Sequence, residues 1–390
     1  MSETSKGLKA SLKDYGIIGA LILIVIVFQI MTGGRLLAPN NVASLIQQNA
    51  YVMILTIGMT MVIVARHIDL SVGSVVALVG GVVAILMTTY NIPWILACLI
   101  GLVIGCVIGC WQGFWIAYVG IPAFIVTLGG MLMFRGLAIV LVEKTVSGLP
   151  AGFVSISNGS IPNFLGFAGQ MDMVTVVVGL IAIAAVIASS FRSRRATVKG
   201  GLEAEPMGLF IGKLVVMAAA IGLVTYLLSL SAGGTPIILV IIGILVIVYS
   251  FVMNKTPFGR HIYAVGGNLR AAQLSGINTK AVDFMVFVNM GALAALAGIV
   301  TASRAGAAVA TAGNTYEMDA IAAAFIGGTA VDGGVGKITG GIIGALVMGV
   351  LNMGLSILSV DSAWQQAIKG LVVVLAVAAA RMTSAKRKAA

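Results

Sequence analysis

Ionisable side chains interrupt a chain that is otherwise almost continuously apolar. Arg66, Asp69 and Arg135 lie within or at the ends of long apolar runs. Charged groups in such runs are costly and commonly mark a substrate or ion path. In IDLSVGS, the side-chain oxygens of Asp69 or Ser71 could instead cap a helix, and Gly73 would allow a bend or a close helix contact. The alternatives for Arg66 and Asp69 are a gating role and an Arg–Asp pair that closes a helix turn.

Neutral amides offer a second type of chemistry. Gln47, Gln48 and Asn49 lie inside an apolar run, where they could bind sugar hydroxyls or form hydrogen bonds between helices. Arg135 is expected to bind a backbone carbonyl or to reach towards the membrane surface, in preference to substrate. Glu317 and Asp319 are equally explained as favourable charges at a helix N-terminus. The candidate translocation residues are Gln47, Gln48, Asn49, Asp69, Ser71, Ser74 and Arg135.

The sequence contains no credible catalytic centre. The segment DGGVGKIT (332–339) resembles a phosphate-binding loop, but Val331 stands where the first glycine is required, and Ile338 stands where Ser or Thr is required. The only two histidines, His67 and His261, are far apart in the sequence. We therefore expect no enzymatic activity, no metal site and no cofactor on this chain.

Composition places the chain in a membrane. Sixty per cent of its residues are hydrophobic and 9% are charged, whereas soluble domains carry about 25% charged residues. Runs such as Ile237–Val248 lack the alternating polarity of a membrane β-barrel. These features predict an all-α polytopic integral membrane protein that forms a single transmembrane domain over residues 1–390.

Long apolar segments predict about twelve membrane crossings. Leu70–Met87 and Met318–Thr329 are short or interrupted by glycine, so they could be broken or re-entrant, which would leave ten crossings. The predicted segments are Gly16–Met31, Val42–Ala65, Leu70–Met87, Pro93–Tyr118, Pro122–Val142, Met173–Phe191, Leu214–Leu230, Pro236–Met253, Ala281–Ala302, Met318–Thr329, Ile338–Leu358 and Trp364–Ala380.

Basic residues predict the orientation of these segments. With an even number of crossings, the clusters at 6–13, 192–199, 255–280 and 386–388 all fall on one side. The positive-inside rule then places both termini, and the loops 192–213 and 254–280, in the cytoplasm. The longest external loop is predicted at 143–172, as a flexible connector in preference to a docking surface. The polar stretch Gly259–Ile277 is either a solvated linker or a short helix presented to a partner.

Two glycine-containing segments resemble each other and form a weak internal repeat. Residues 68–74 and 331–337 each precede a glycine-rich apolar segment. Interrupted helices in corresponding halves of a transporter often mark its transport path. Glycine-rich sequence can also mimic a repeat, so both interpretations stay open at this point.

Several motifs, in matching order along nearly the whole chain, resemble the permease subunits of bacterial ABC sugar importers. Within that family, FWIAYVGIPAFIVTLGGMLMFRG and the region 143–231 are most similar to the D-xylose type. Galactose/arabinose permeases come next, and ribose permeases are shorter. The motifs are GMTMVIVARHIDLSVGSVVAL (58–78), PAFIVTLGGMLMFRG (122–136), GRHIYAVGGNLRAAQLSGIN (259–278), LAGIVTASRAGA (296–307) and EMDAIAAAFIGGTAVDGGVGKITGGIIGALVMGVLNMGL (317–355).

The resemblance implies that this chain imports a monosaccharide by alternating access across the bacterial inner membrane. It implies pairing of two permease chains, a cytoplasmic ABC ATPase that hydrolyses ATP, and a periplasmic sugar-binding protein. The chain departs from the family's usual residues at Leu269-Arg270 and at Asp332. The main alternative is an ion-coupled secondary transporter. By resemblance, the ATPase-coupling residues are Gly267, Asn268, Arg270, Ala271, Ala272, Leu274, Ser275, Gly276 and Ile277.

Overall fold

The computed structural model describes residues 3–201 and 205–388, and this part of the chain is mostly helical. Each of the predicted apolar segments is helical, which confirms the all-α class. In the described residues the α-helices are α1 (Glu3–Met31), α2 (Pro39–Gln48), α3 (Ala50–Val64), α4 (Val72–Thr88), α5 (Trp94–Phe114, continued by a π-helical turn Trp115–Val119), α6 (Ala123–Leu141), α7 (Ala151–Asn158), α8 (Met173–Lys199), α9 (Met207–Ser229), α10 (Ile237–Lys255), α11 (Pro257–Gly267), α12 (Leu269–Leu274), α13 (Thr279–Ala305), α14 (Tyr316–Ile326), α15 (Ile338–Ile357) and α16 (Ser362–Lys388).

Local sequence explains where many of these helices begin. Proline immediately precedes α5, α6, α7, α9 and α10. Proline is tolerated at a helix start because the first N–H groups have no intrahelical acceptor. Polar caps start others: the side chains of Asp172, Asn268 and Asn278 accept backbone N–H groups at the starts of α8, α12 and α13.

Helix length and hydropathy identify the membrane crossings. Among the described residues, seven helices are long and apolar enough to cross a membrane, or eight if α2 and α3, which meet at a 44° bend, form one broken span. The apolar part of α1 and the whole of α4 are shorter. Helix α14 has 11 residues, which is about 16 Å and too short to cross alone. The short segments α4 and α14 agree with the prediction of broken or re-entrant elements.

The bundle has two ends, which we call the α7 end and the α12 end. Helix α10 connects them: Ile237 N donates to Gly159 O, just after α7, while Lys255 leads into α11 and α12. Its 19 residues span about 28 Å. Helix α13 connects the same two ends in the opposite direction, from Thr279 beside α12 to Ser303, whose hydroxyl accepts from Ser157 N of α7.

The core of the bundle is formed by α3, α4, α13, α14 and α15. All residues of α3 except Tyr51 are buried, as expected for a helix that is apolar on every side. By contrast, α8 and α9 pack mainly on each other and expose most of their apolar side chains. They therefore form a peripheral hairpin against a compact centre.

Small residues allow the central helices to approach closely. A Cβ atom at Gly344 in α15 would lie 1.9 Å from Ala323 O in α14. A Cβ at Gly105 in α5 would lie 2.5 Å from Gly291 O in α13. Backbone contact of this kind is typical of helix pairs in membranes.

We expect Gly344→Val to destabilise the protein by about 1–3 kcal/mol or more, because the added side chain must separate α14 from α15. The matched control is Gly129→Val, since a Cβ at Gly129 in α6 meets no atom within 4 Å. Thermal unfolding of the purified proteins in detergent measures the difference. Equal melting temperatures for the two variants would show that the α14–α15 contact is not tight.

The loops are more ordered than the sequence predicts. Region 143–172 contains α7 and the strands β1 (Val146–Ser147), β2 (Phe167–Ala168) and β3 (Met171–Asp172). Strand β1 pairs antiparallel with β4 (Ala307–Ala308), with Val146 opposite Ala308, and β2 pairs antiparallel with β3. Region 192–213, predicted as a polar linker, is helical up to Lys199 and again from Met207. These helices extend because arginine and lysine favour helix and their charges can leave the membrane.

Candidate functional site

Two helix breaks meet at the α12 end. The chain leaves helical structure after Val64 and resumes it at Val72, and it does so again between Ile326 and Ile338. Gly334 N donates to Val64 O at 2.8 Å, so the second break touches the first. Both segments of the weak internal repeat lie at these breaks: residues 68–74 next to α4 and residues 331–337 next to α15.

Arg66 joins the two breaks to the end of α11. Its Nε donates to Gly266 O at 2.6 Å and to Asp332 O at 3.0 Å, and its second terminal nitrogen donates to Gly267 O at 2.8 Å. The Gly266 and Gly267 carbonyls lie in the last turn of α11, where the helix provides no internal donor. We call this set of hydrogen bonds the Arg66 bracket.

The Arg66 bracket replaces the ion pair considered from sequence. Arg66 binds backbone carbonyls rather than Asp69, and its φ of +71° is uncommon for a residue with a side chain. His67 also finds another partner, since its Nε2 lies 3.2 Å from Asp283 Oδ1 at the start of α13. The pairing of Arg66 with Asp69 is therefore wrong. No sequence pattern predicts that Arg66 donates a hydrogen bond to a backbone carbonyl 200 residues away.

Helices α11 and α12 are held against the breaks by further contacts. Tyr263 OH donates to Gly336 O at 2.6 Å. A Cβ on Gly266 would lie 1.7 Å from Val64 O, so only glycine fits at this crossing. Asn268 Oδ1 accepts from Ala271 N at 3.0 Å and caps α12. The stretch 259–277 is thus a helix pair anchored to the core rather than a solvated linker.

One side of α12 faces away from the protein. Leu274 is 88% exposed and Leu269 is 42% exposed. Ala272 is buried against its own chain at 4%. Gly276 ends the helix at φ +79°, a conformation that glycine adopts at no steric cost. Of the other predicted coupling residues, Ile277 is half-buried, and the exposed ones are Gly267, Asn268, Arg270, Ala271 and Ser275.

A polar cluster lies inside the bundle at the start of α4. Asp69 Oδ1 accepts from Ser71 N at 2.8 Å and from Ser71 Oγ at 2.7 Å. Gln112 Nε2, from α5, donates to Ser71 Oγ at 2.6 Å. Asp69 therefore orders the turn before α4, whereas the Ser71 side chain makes no capping bond to the helix. We call Asp69, Ser71 and Gln112 the central cluster.

The loop before α14 packs directly on α4 beside the central cluster. A Cβ on Gly73 would lie 2.2 Å from Gly313 O and 2.5 Å from Glu317 Oε2, which confirms that Gly73 allows a close approach. Arg135 holds this loop by donating to Ala310 O at 2.8 Å and to Ala312 O at 2.7 Å. Arg135 thus binds backbone carbonyls, one of the two alternatives that the sequence left open.

A second polar network links α3, α14 and α16. Tyr51 OH donates to Asp319 Oδ2 at 2.8 Å, and Lys369 Nζ lies 3.2 Å from both Asp319 oxygens. The Asp319 side chain is 1% exposed. The rings of Tyr51 and Tyr316 stack at 3.5 Å. An aspartate so deeply buried needs both partners, because an unpaired buried charge is strongly destabilising.

The three neighbouring amides do not join the central cluster. Gln47 Nε2 donates weakly to Asn158 O at the α7 end, at 3.4 Å, and Gln48 is exposed. Asn49 is buried at the bend between α2 and α3, where its Oδ1 accepts from Asn352 Nδ2 at 3.1 Å. Ser74 is buried, and its hydroxyl has no partner within the described residues.

Three residues of these networks are absent from the sequence-based candidates: Gln112, Tyr51 and Lys369. Gln112 and Lys369 each interrupt an apolar run, in CWQGF and in AIKGLVVV, so the rule that flagged Arg135 also applies to them. Tyr51 carries no comparable signal, since tyrosines are common near membrane surfaces. In the described residues, no three His, Cys, Asp or Glu side chains are arranged to hold a metal ion.

The fold and these networks define a multi-pass α-helical membrane protein with interrupted helices at its centre. The family model described as branched-chain amino acid transport system / permease component matches residues 41–377. The chain therefore belongs to this family of transport-system permease components.

Curated relatives cover nearly the whole chain. The xylose transport system permease protein of Escherichia coli strain K12 is 38% identical over 95% of this chain and 92% of its own. The corresponding protein of Haemophilus influenzae is 36% identical over 94% of this chain and 96% of its own. The ribose import permease protein of Escherichia coli strain K12 is 33% identical over 94% of this chain and 92% of its own. No solved structure matches.

Proposed function

We propose that this chain is the membrane subunit of an ATP-driven importer that carries a monosaccharide across the bacterial inner membrane. The first candidate for the monosaccharide is D-xylose. The chain itself would hydrolyse no ATP. It would act as a homodimer, with a cytoplasmic ABC ATPase at the α12 end and a periplasmic sugar-binding protein at the α7 end. Both termini would then be cytoplasmic.

The relatives support the substrate class. The two xylose permeases are 36–38% identical to this chain, and the ribose permease is 33% identical over a similar span. The difference favours xylose, and ribose is the second candidate. Both sugars are neutral polyols, which suits a path lined by hydroxyl and amide groups that bind weakly enough to release the solute.

The observation that carries the proposal is the position of α12. An exposed apolar residue, Leu274, stands on a short helix that the Arg66 bracket fixes to both central breaks. A partner that moves α12 would therefore move the ends of α3, α11 and the 327–337 loop together. Alternating access requires that such a displacement reach the solute path.

The central cluster and the Gly73–Gly313 contact support a path at the start of α4. The Asp69, Ser71 and Gln112 side chains are each at most 2% exposed in this conformation, so solute has no access to them until helices separate. Part of the contact between α4 and the loop before α14 is glycine backbone, Gly73 against Gly313, which offers little side-chain interlocking. We propose that this contact opens and closes during transport.

Uptake of radiolabelled xylose into vesicles tests the function. The chain is reconstituted with and without an ABC ATPase and a sugar-binding protein, and ATP is enclosed on the ATPase side. We expect uptake only in the complete system with ATP. Uptake without the ATPase that collapses when an ionophore is added would instead identify an ion-coupled secondary transporter, and uptake of ribose in preference to xylose would change the substrate.

Leu274→Glu tests whether α12 is the docking site. We expect at least a tenfold weaker association with the ATPase, because a charge replaces the exposed apolar side chain at the centre of the contact. Leu165→Glu is the matched control, since Leu165 is 52% exposed in region 143–172, beyond α7. Co-purification of the ATPase measures the effect. Equal recovery with both variants would place the docking surface elsewhere.

A further inference from the structure

The peripheral hairpin of α8 and α9 encloses a polar cavity at its α12 end. The cavity has a volume of about 350 Å³. Hydroxyl groups of Ser190, Ser193 and Thr197 line one wall, on successive turns of α8, and Lys213 of α9 lies on the other. None of these residues belongs to the Arg66 bracket, the central cluster or the second polar network.

Lys213 gives the cavity an unsatisfied positive charge. It is half-buried, and it has no hydrogen bond or ion pair within the part of the chain that the structure describes. Buried cations are normally paired. A half-buried ammonium facing hydroxyl groups in a cavity of this size therefore indicates an anionic oxygen ligand.

Arg194 shapes the same cavity. Its terminal nitrogen donates to Glu205 O at 2.6 Å, and its guanidinium lies 4.8 Å from the ring centre of Phe210. Glu205 also belongs to the lining, and its negative charge opposes an anion. The two lining cations, Arg194 and Lys213, outnumber it.

The apolar surroundings of the cavity indicate which kind of molecule carries the anionic group. Exposed apolar side chains flank it on both helices, including Phe191, Leu209 and Ile211. These faces are open to acyl chains, because the hairpin packs on little besides itself. A phosphate group attached to acyl chains can satisfy the polar cavity and the apolar faces together.

We propose that this cavity binds the phosphate headgroup of one acidic phospholipid. Lys213 would pair with the phosphate, the Ser190 and Ser193 hydroxyls would donate to its oxygens, and the acyl chains would lie along α8 and α9. The shared chemistry of the ligand is a phosphate oxygen anion, and the membrane lipid is the source that the apolar faces favour. The proposal holds whichever solute the permease carries.

Native mass spectrometry of the full-length purified protein tests this site. The protein is titrated with phosphatidylglycerol, with phosphatidylcholine and, separately, with inorganic phosphate. We expect one phosphatidylglycerol to be retained per chain, with weaker retention of phosphatidylcholine. Lys213→Gln should weaken phosphatidylglycerol binding about 5-fold, the effect of removing one cation near an anionic lipid surface, and Lys213→Arg should restore it.

Arg195→Gln provides the matched control. Arg195 is an exposed cation on α8 that does not line the cavity, so its loss should leave the retained lipid in place. Both variants are checked by gel filtration for a wild-type profile. Equal losses for Arg195→Gln and Lys213→Gln, no loss for either, or displacement of the lipid by inorganic phosphate would each overturn the proposal.

Discussion

Replacing Arg66 with glycine is expected to lower solute transport per ATP hydrolysed by about 10- to 100-fold, while the complex with the ATPase still assembles. The guanidinium donates three hydrogen bonds, at 2.6, 2.8 and 3.0 Å, to Gly266, Gly267 and Asp332. Coupling free energies between distant sites commonly correspond to 5–150-fold effects. Without the Arg66 bracket, α12 can move without displacing the central breaks.

Glycine is the substitution of choice because it removes only the side chain. The φ of Arg66 is +71°, which glycine adopts freely, whereas alanine would keep the backbone strain without the hydrogen bonds. Arg66→Lys should recover part of the coupling, since one ammonium cannot reach all three carbonyls. Arg260→Ala is the control, because Arg260 is exposed on α11 and, among the described residues, its side chain makes one long hydrogen bond, to Lys255 O at 3.4 Å.

ATP hydrolysis and solute uptake are measured in the same vesicles. Loss of both activities together with loss of ATPase binding would mean that Arg66 only maintains the docking surface. Wild-type uptake per ATP in Arg66→Gly would show that α12 and the breaks are coupled through other contacts, such as Tyr263 OH to Gly336 O.

Replacing Lys369 with methionine is expected to destabilise the protein by about 3–5 kcal/mol, the usual cost of leaving one member of a buried ion pair without its partner. Asp319 would retain only the hydrogen bond from Tyr51. Methionine fills a volume similar to that of the lysine stem, so the loss reports on charge rather than on packing. Thermal unfolding in detergent provides the measurement.

The double variant Lys369→Met/Asp319→Asn separates charge from structure. It should recover most of the lost stability, because the neutral amide can still accept from Tyr51 and no charge remains buried. Lys144→Met is the control, since Lys144 is exposed in the loop after α6. A melting temperature for Lys369→Met equal to that of Lys144→Met would exclude a stabilising role for the pair.

Hydropathy is sufficient to locate the long apolar helices, but it does not reveal α7 within region 143–172 or the contacts that the helices make. Every predicted apolar segment is helical, and the short segments at α4 and α14 were recognised from glycine and length alone. The extent of α8 and α9 was underestimated, because their basic ends look like a loop on a hydropathy scale although arginine and lysine are good helix formers.

The polar contacts of the candidate residues divide in the same way. Arg135 was found because an arginine in an apolar run is costly, and the same criterion would have identified Lys369. Arg66 was found as a residue, but its acceptors were not, since they are backbone carbonyls of two glycines and one aspartate far along the chain. Contacts between side chain and backbone at such separations depend on the packed fold and leave no local pattern.

The Asp319–Lys369 pair also sets an order of assembly during synthesis. The two residues are 50 positions apart, so at ~5–20 residues per second the ribosome adds Lys369 ~3–10 s after Asp319. Helix α14 is therefore made before the cation that neutralises Asp319 exists. A chain truncated before α16 would leave the Asp319 carboxylate without its cationic partner.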